Sequence, residues 1–301
     1  MRISLTTFIS AAIAIVFTAC ATTLTPRKGE LVASVGPVDL PAAHGDHGHG
    51  DMTEKVARWR VAETGFITSL RPAMEDAEGN PLPGELLHHV AIGERSRADF
   101  LCTEHPHRMP HLILAAGGEM TQVDMPEGFG IHVERGTKLV AMGMFAPSAR
   151  GSIENARFVA RMDFSSARSG DALQPIVPVW IDVLASCPED GYPIGQDGRD
   201  MKTREFSFPF AGELHLAGGH MHDGGRSLVI TRVSDGRVLA SFEPKYDGDR
   251  IAAIPLVHFT PAVRVEPGER YRLQAIYAAR PSHGGRAMGI VVAFVAPDAA
   301  P

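Results

Sequence analysis

Long apolar runs are scarce in this chain. The main one, at residues 8–17, is about half of the roughly 20 residues a membrane-spanning helix needs, so no span is predicted. Sustained heptads and long amphipathic helical periods are also missing, which argues against helical bundles and coiled coils. No Walker loop, dinucleotide fingerprint or nucleophile elbow appears, which removes the usual nucleotide, nicotinamide and serine-hydrolase readings. Positive charge is not in excess: 29 Lys and Arg stand against 35 Asp and Glu, a net charge of −6, which argues against a nucleic-acid partner. Cysteine is rare, at three residues in 301.

What the chain does have is short apolar runs between turn signals. Runs at residues 66–70, 86–92, 111–115, 138–145, 158–164 and 177–184 are separated by breakers such as Glu78-Gly79-Asn80-Pro81 and Ala116-Gly117-Gly118. Such spacing predicts an all-β protein of antiparallel sandwiches. With 301 residues, 44% of them hydrophobic, there is enough chain for two cores. The predicted organisation is a signal segment over residues 1–19 and a flexible His-rich tether over 20–55. A first sandwich over 56–186 and a linker over 187–200 follow, then a second sandwich over 201–297. The tether is assigned on Pro26, Pro37, Pro41 and the run His44-Gly45-Asp46-His47-Gly48-His49, which offers little apolar surface to bury and could collect metal loosely.

Histidines carry the chemical signal. In Gly218-Gly219-His220-Met221-His222-Asp223-Gly224 the two histidines are two apart, so on a strand they share a face and can address one ion. A thioether from Met288, which follows His283-Gly284-Gly285, would complete a soft N,N,S donor set that suits copper. The alternative is two polar residues on a sheet face and a core methionine. Upstream, His88 and His89 are adjacent, and neighbours on a regular strand face opposite sides. A shared ion there needs a bulge or a strand end, for which Pro83-Gly84 makes room. Further histidines, His105, His107, His111 and His132, are either additional ligands or members of exposed loops.

Taken in order, these motifs resemble the copper type II, ascorbate-dependent monooxygenases, the family of peptidylglycine alpha-hydroxylating and dopamine beta-monooxygenases. Residues 206–296 resemble its methionine-site domain through His220, His222, Gly224, the turn at Pro267-Gly268, and Gly284-Gly285 before Met288. Pro83-Gly84-Glu85-Leu86-Leu87-His88-His89 and Pro126-Glu127-Gly128-Phe129-Gly130 resemble its electron-supplying domain. The resemblance implies two jelly-roll-like sandwiches and two coppers, one at His220, His222 and Met288, the other at His88, His89 and a third ligand. Met144 stands where that third histidine is expected, with His107 and His111 as substitutes. Asp223 and His258 are candidates for supporting the ligands, set against ordinary surface roles. Gly218 and Val292 occupy the places that hold a substrate carboxylate in peptide-amidating members, so a peptide C-terminal glycine is not the expected substrate.

The N-terminus reads as an export signal: Arg2, the apolar run, then Thr18-Ala19-Cys20, which resembles a bacterial lipobox with Cys20 as the lipidated residue. The expected location is the bacterial cell envelope, periplasm-facing or at the outer membrane, held to the membrane by a lipid anchor. Cys102 and Cys187 then remain, either as a disulfide in an oxidising compartment or as thiolate ligands. Three functions are open. One is a copper-binding envelope lipoprotein that performs oxygen- and reductant-dependent hydroxylation, with a small-molecule reductant such as ascorbate. The others are a non-catalytic copper carrier or store, and a structural envelope protein that has lost copper.

Overall fold

The computed structural model describes residues 22–43, 52–104, 109–185, 187, 191–195, 199–279 and 286–301. Cys20, His105, His107 and the run His44 to His49 lie outside the described residues, as do His283, Gly284 and Gly285.

The chain is all-β, as predicted, and folds as two β-sandwiches, with no α-helix among the described residues. In the first, the inner sheet orders Thr22–Leu24, Thr53–Val61, Lys138–Phe145, Leu87–Ala98 and Pro110–Gly117. Its outer sheet is built around the long strand Ile153–Ser166. In the second, the inner sheet orders Val177–Asp182, Gly289–Pro297, Gly212–Met221 and Val257–Val265. The outer sheet there orders Asp200–Phe206, Tyr271–Tyr277, Gly225–Arg232 and Val238–Phe242. Period-2 burial explains the layers: Val179, Ile181, Val291, Ala293 and Val295 fill the second core, while Trp180, Asp182, Ile290, Val292 and Phe294 point the other way, toward the first sandwich.

Two predicted boundaries are corrected. The tether does not run from 20 to 55, because Glu30–Leu40 is a strand paired with Ile153–Ser166. Leu31, Ala33, Val35, Val38 and Leu40 are buried in the first core, and a register shift absorbs Gly36-Pro37, whose proline counts toward the tether in the sequence. Thr53–Val61 likewise begins inside the predicted tether. The second sandwich does not begin at 201. Val177–Asp182 pairs with Gly289–Pro297, and Tyr192 and Ile194, from the predicted linker, belong to the second core.

The two sandwiches share apolar contacts. Leu216 and Phe294, both from the second, pack into the core of the first. Cys102 and Cys187 form a disulfide with Cα atoms 4.9 Å apart, tying a loop of the first sandwich to the chain that has already entered the second. This bears out the disulfide over the thiolate alternative.

Candidate metal centre

The adjacent histidines are brought to one side by a bulge. On the strand Lys138–Phe145, Met144 stands opposite His89 and Phe145 opposite Leu87, so the register slips by one residue at His88. The local rotation leaves the His88 and His89 ring centres 4.7 Å apart. Across the inter-sandwich space, His220 sits near the end of Gly212–Met221, opposite Ile290, and His222 lies just beyond that strand. Their ring centres are 5.6 Å apart. The two pairs meet: His88 is 4.7 Å from His222 and 6.2 Å from His220, and His89 is 5.8 Å from His220.

Hydrogen bonds orient the second pair. His220 Nδ1–H donates to Glu119 Oε1 at 2.7 Å, and His222 Nδ1–H donates to the Arg286 carbonyl at 2.8 Å. Each proton is thereby assigned to Nδ1, which leaves the lone pair on Nε2. His220 Nε2 is buried and has no hydrogen-bond partner. Burial disfavours a charged His220, but the Glu119 charge and hydrogen bond, together with Asp182, outweigh burial and raise its pKa. Glu119 reaches across because Gly117 precedes it: a Cβ on Gly117 would lie 2.3 Å from Glu119 Oε2. Gly118 is equally constrained, since its Cβ would meet the Gly84 and Leu87 carbonyls at 2.7 Å, next to the bulge.

Tyr277 fixes the other side. Its hydroxyl accepts the His222 backbone N–H at 3.0 Å and the Met288 N–H at 3.1 Å, and donates to the Met288 carbonyl at 2.7 Å. Burial pushes its ionisation far above the ordinary tyrosine range. Met288 lines a cavity of about 230 Å³ between the inner sheets, and His89 and His220 line it too. A second, more polar cavity of about 500 Å³ lies against His88, His220 and His222, with Glu85, Asp223 and Arg250 around it. Arg250 is ion-paired with Glu85 at 2.9 Å, joining the two sandwiches.

Of the predicted residues, His88, His89, His220, His222 and Met288 gather in one region, and Met144 is the cross-strand neighbour of His89. His111 is not with them. It pairs with Glu94 on the strand whose Gly117 faces His89, which puts it about six residues, or roughly 20 Å, along the sheet. It is buried there against Phe100. His258 is exposed on Val257–Val265, and Asp223 accepts the Ile251 N–H. Glu119 and Tyr277 were missed in the sequence. Among the described residues no three His, Cys, Asp or Glu side chains form a finished ion-binding group, so the arrangement is a gathering of four imidazoles.

No family model matches this chain, and no curated protein matches it. Similar solved structures include one of Sulfolobus turreted icosahedral virus, at 7% identity over 88% of this chain and 90% of that one, with a TM-score of 0.37. PNGF-II is similar at 9% identity over 90% of this chain and 66% of its own, with a TM-score of 0.38. The PBCV-1 virus capsid is similar at 9% identity over 93% and 99%, with a TM-score of 0.31. Likeness at this level carries no functional argument.

Proposed function

We propose that this chain is a copper-binding protein of the bacterial envelope, with His88, His89, His220 and His222 as the ligands of one ion held between the sandwiches. The observation that carries the reading is the spacing of the rings, 4.7 to 6.2 Å between centres in five of the six pairs. At metal–nitrogen distances of about 2.0–2.1 Å, imidazoles on a common ion have ring centres roughly 4.5–6 Å apart. The Nε2 lone pairs of His220 and His222, the carboxylate behind His220 and the carbonyl behind His222 are what an imidazole ligand set requires. Imidazole serves several transition metals, and the nearby thioethers of Met288 and Met144 tilt the set toward copper. The resemblance implied two separate coppers, whereas this spacing supports one shared ion.

Bound copper would supply one-electron redox chemistry, refilled by a small-molecule reductant such as ascorbate. The protein's own part is to fix the imidazoles, exclude water on the side of the apolar cavity and hold protons at His220 Nδ1 and His222 Nδ1. That cavity, which touches His89 and His220, is what supports the oxidising reading. A second reading, a non-catalytic carrier or store, is favoured by the nitrogen count, since four imidazoles fill a tetrahedral shell and leave no open position. The disulfide suits an oxidising compartment, and Cys20 is the proposed lipid anchor.

Copper stoichiometry on purified protein tests the site, with reductant-dependent oxygen consumption recorded on the same sample. One copper per chain, lost in both His88→Ala and His220→Ala, is expected. Two coppers lost separately would restore the two-site arrangement, and no copper at all would end the reading. Oxygen consumption separates the oxidising reading from the carrier.

A further inference from the structure

The cavity beside the histidines has a composition of its own. Ala91, Leu112 and Leu114 line it from the first sandwich, and Ile290, Val292 and Phe294 from the second. Among the described residues no lysine or arginine lines it, and the ionisable side chains that do are His89, His220, Glu119 and Asp182. Met142, 44% exposed, also lines it and marks a route to solvent. One further polar group stands out: the indole Nε1 of Trp180, a lining residue, is buried with no hydrogen-bond partner. Indole is a donor with no acceptor capacity, and a buried donor without an acceptor is rare in folded proteins, so this N–H calls for an acceptor.

We propose that this cavity binds a neutral, mainly apolar small molecule, about one substituted ring in size, that presents an acceptor oxygen to the Trp180 indole. Size follows from volume: an apolar cavity of about 150 Å³ admits benzene, so about 230 Å³ admits a ring with a short substituent. Charge follows from the lining. An anion would face two carboxylates, with no lysine or arginine among the described lining residues and with His220 already bonded to Glu119. A cation would find Glu119 already bonded to His220 and Asp182 already accepting the Leu184 N–H at 2.7 Å. A mostly apolar wall with a few placed polar groups is the usual make-up of a small-molecule site. The inference rests on the copper reading only for what happens to the bound molecule, because the cavity walls exist without an ion.

The test uses the full chain, first stripped of metal with a chelator and then loaded with copper. Benzyl alcohol is the probe, with benzylamine and benzoate as charged counterparts and toluene as the probe lacking oxygen. Trp59→Phe leaves Trp180 as the one tryptophan, and its emission reports occupancy. Saturable binding of benzyl alcohol to the metal-free protein is expected, at least ten-fold tighter than benzylamine, benzoate or toluene. Trp180→Phe, which keeps the cavity but removes the N–H, should weaken that binding about ten-fold by calorimetry and erase the preference over toluene. Ala91→Phe should block it. No saturable binding, or a preference for either charged probe, overturns the inference. Binding of benzyl alcohol by a protein that takes up no copper would leave the cavity standing and remove the copper reading, and the converse result would do the reverse.

Discussion

Tyr277 and His222 are joined by a hydrogen bond in which the side chain of one holds the backbone of the other, the His222 N–H meeting the Tyr277 hydroxyl at 3.0 Å. Because the same hydroxyl also bonds both backbone groups of Met288, one oxygen sets the relative position of two candidate ligands 66 residues apart, from 222 to 288. Tyr277→Phe keeps the ring and strands those groups. Leaving a buried donor or acceptor unsatisfied costs about 1–3 kcal/mol, so a stability loss near 2 kcal/mol is expected by denaturant melting. Copper affinity should fall roughly 10- to 100-fold. An unchanged affinity in a destabilised variant would reduce Tyr277 to a packing role.

Glu119 supports His220 from the other sandwich, at 2.7 Å. Carboxylates behind a ligand histidine commonly raise metal affinity about 10- to 100-fold, so Glu119→Ala should lower copper affinity by that factor. Glu119→Gln, which retains an acceptor oxygen, should lose less. Chelator competition on the two variants measures this, and equal losses would mean that charge alone matters.

His111 gives the protein an acid-sensitive spot away from the histidine cluster. It is 4% exposed, and burial, aided by the Arg97 charge, lowers its pKa to about 4. Above the unfolded value of about 6.5 it costs nothing; as pH falls toward 4 the unfolded chain takes up a proton that the folded chain refuses, and stability drops by up to about 3 kcal/mol. Asp99, raised to about 6 by burial, works with the opposite sign: its contribution is complete below the ordinary carboxylate range and is lost as pH rises through 6. His111→Leu should therefore flatten the acid limb of the stability curve and leave the Asp99 limb. An acid limb identical to the parent's would show that His111 is not its source.

The Cys102–Cys187 bond closes a loop of 85 residues in separation, for which the chain-entropy model gives about 4–5 kcal/mol. The double change Cys102→Ser and Cys187→Ser should lower the unfolding midpoint without scattering the sandwiches, since Leu216 and Phe294 still pack across. A midpoint that does not move would mean the unfolded chain gains little freedom from the cut.

The sequence shows most where a signal is local. Strand-length apolar runs between turns announce sandwiches, and adjacent His88 and His89 announce that a bulge is needed if both are to serve one ion, which is how the chain folds there. It misleads where two local signals compete. Pro37 counts toward a tether, yet the alternation of Leu31, Ala33 and Val35 belongs to a buried strand. It is silent where a partner is distant: Glu119 is 101 residues from His220 and Tyr277 is 55 from His222, so nothing near either residue announces its role. The meeting of the two histidine pairs is also tertiary, since each motif looks complete when taken alone.

Leu216 and Phe294 are side chains of one half whose apolar contacts are in the other. Neither half is therefore expected to be shuffled freely between genes, because a solitary second half would carry two bare apolar knobs on its surface and a solitary first half two unfilled sockets. Inheritance of this chain is thus expected to be all or nothing, with substitutions at the sockets matched by changes in the knobs.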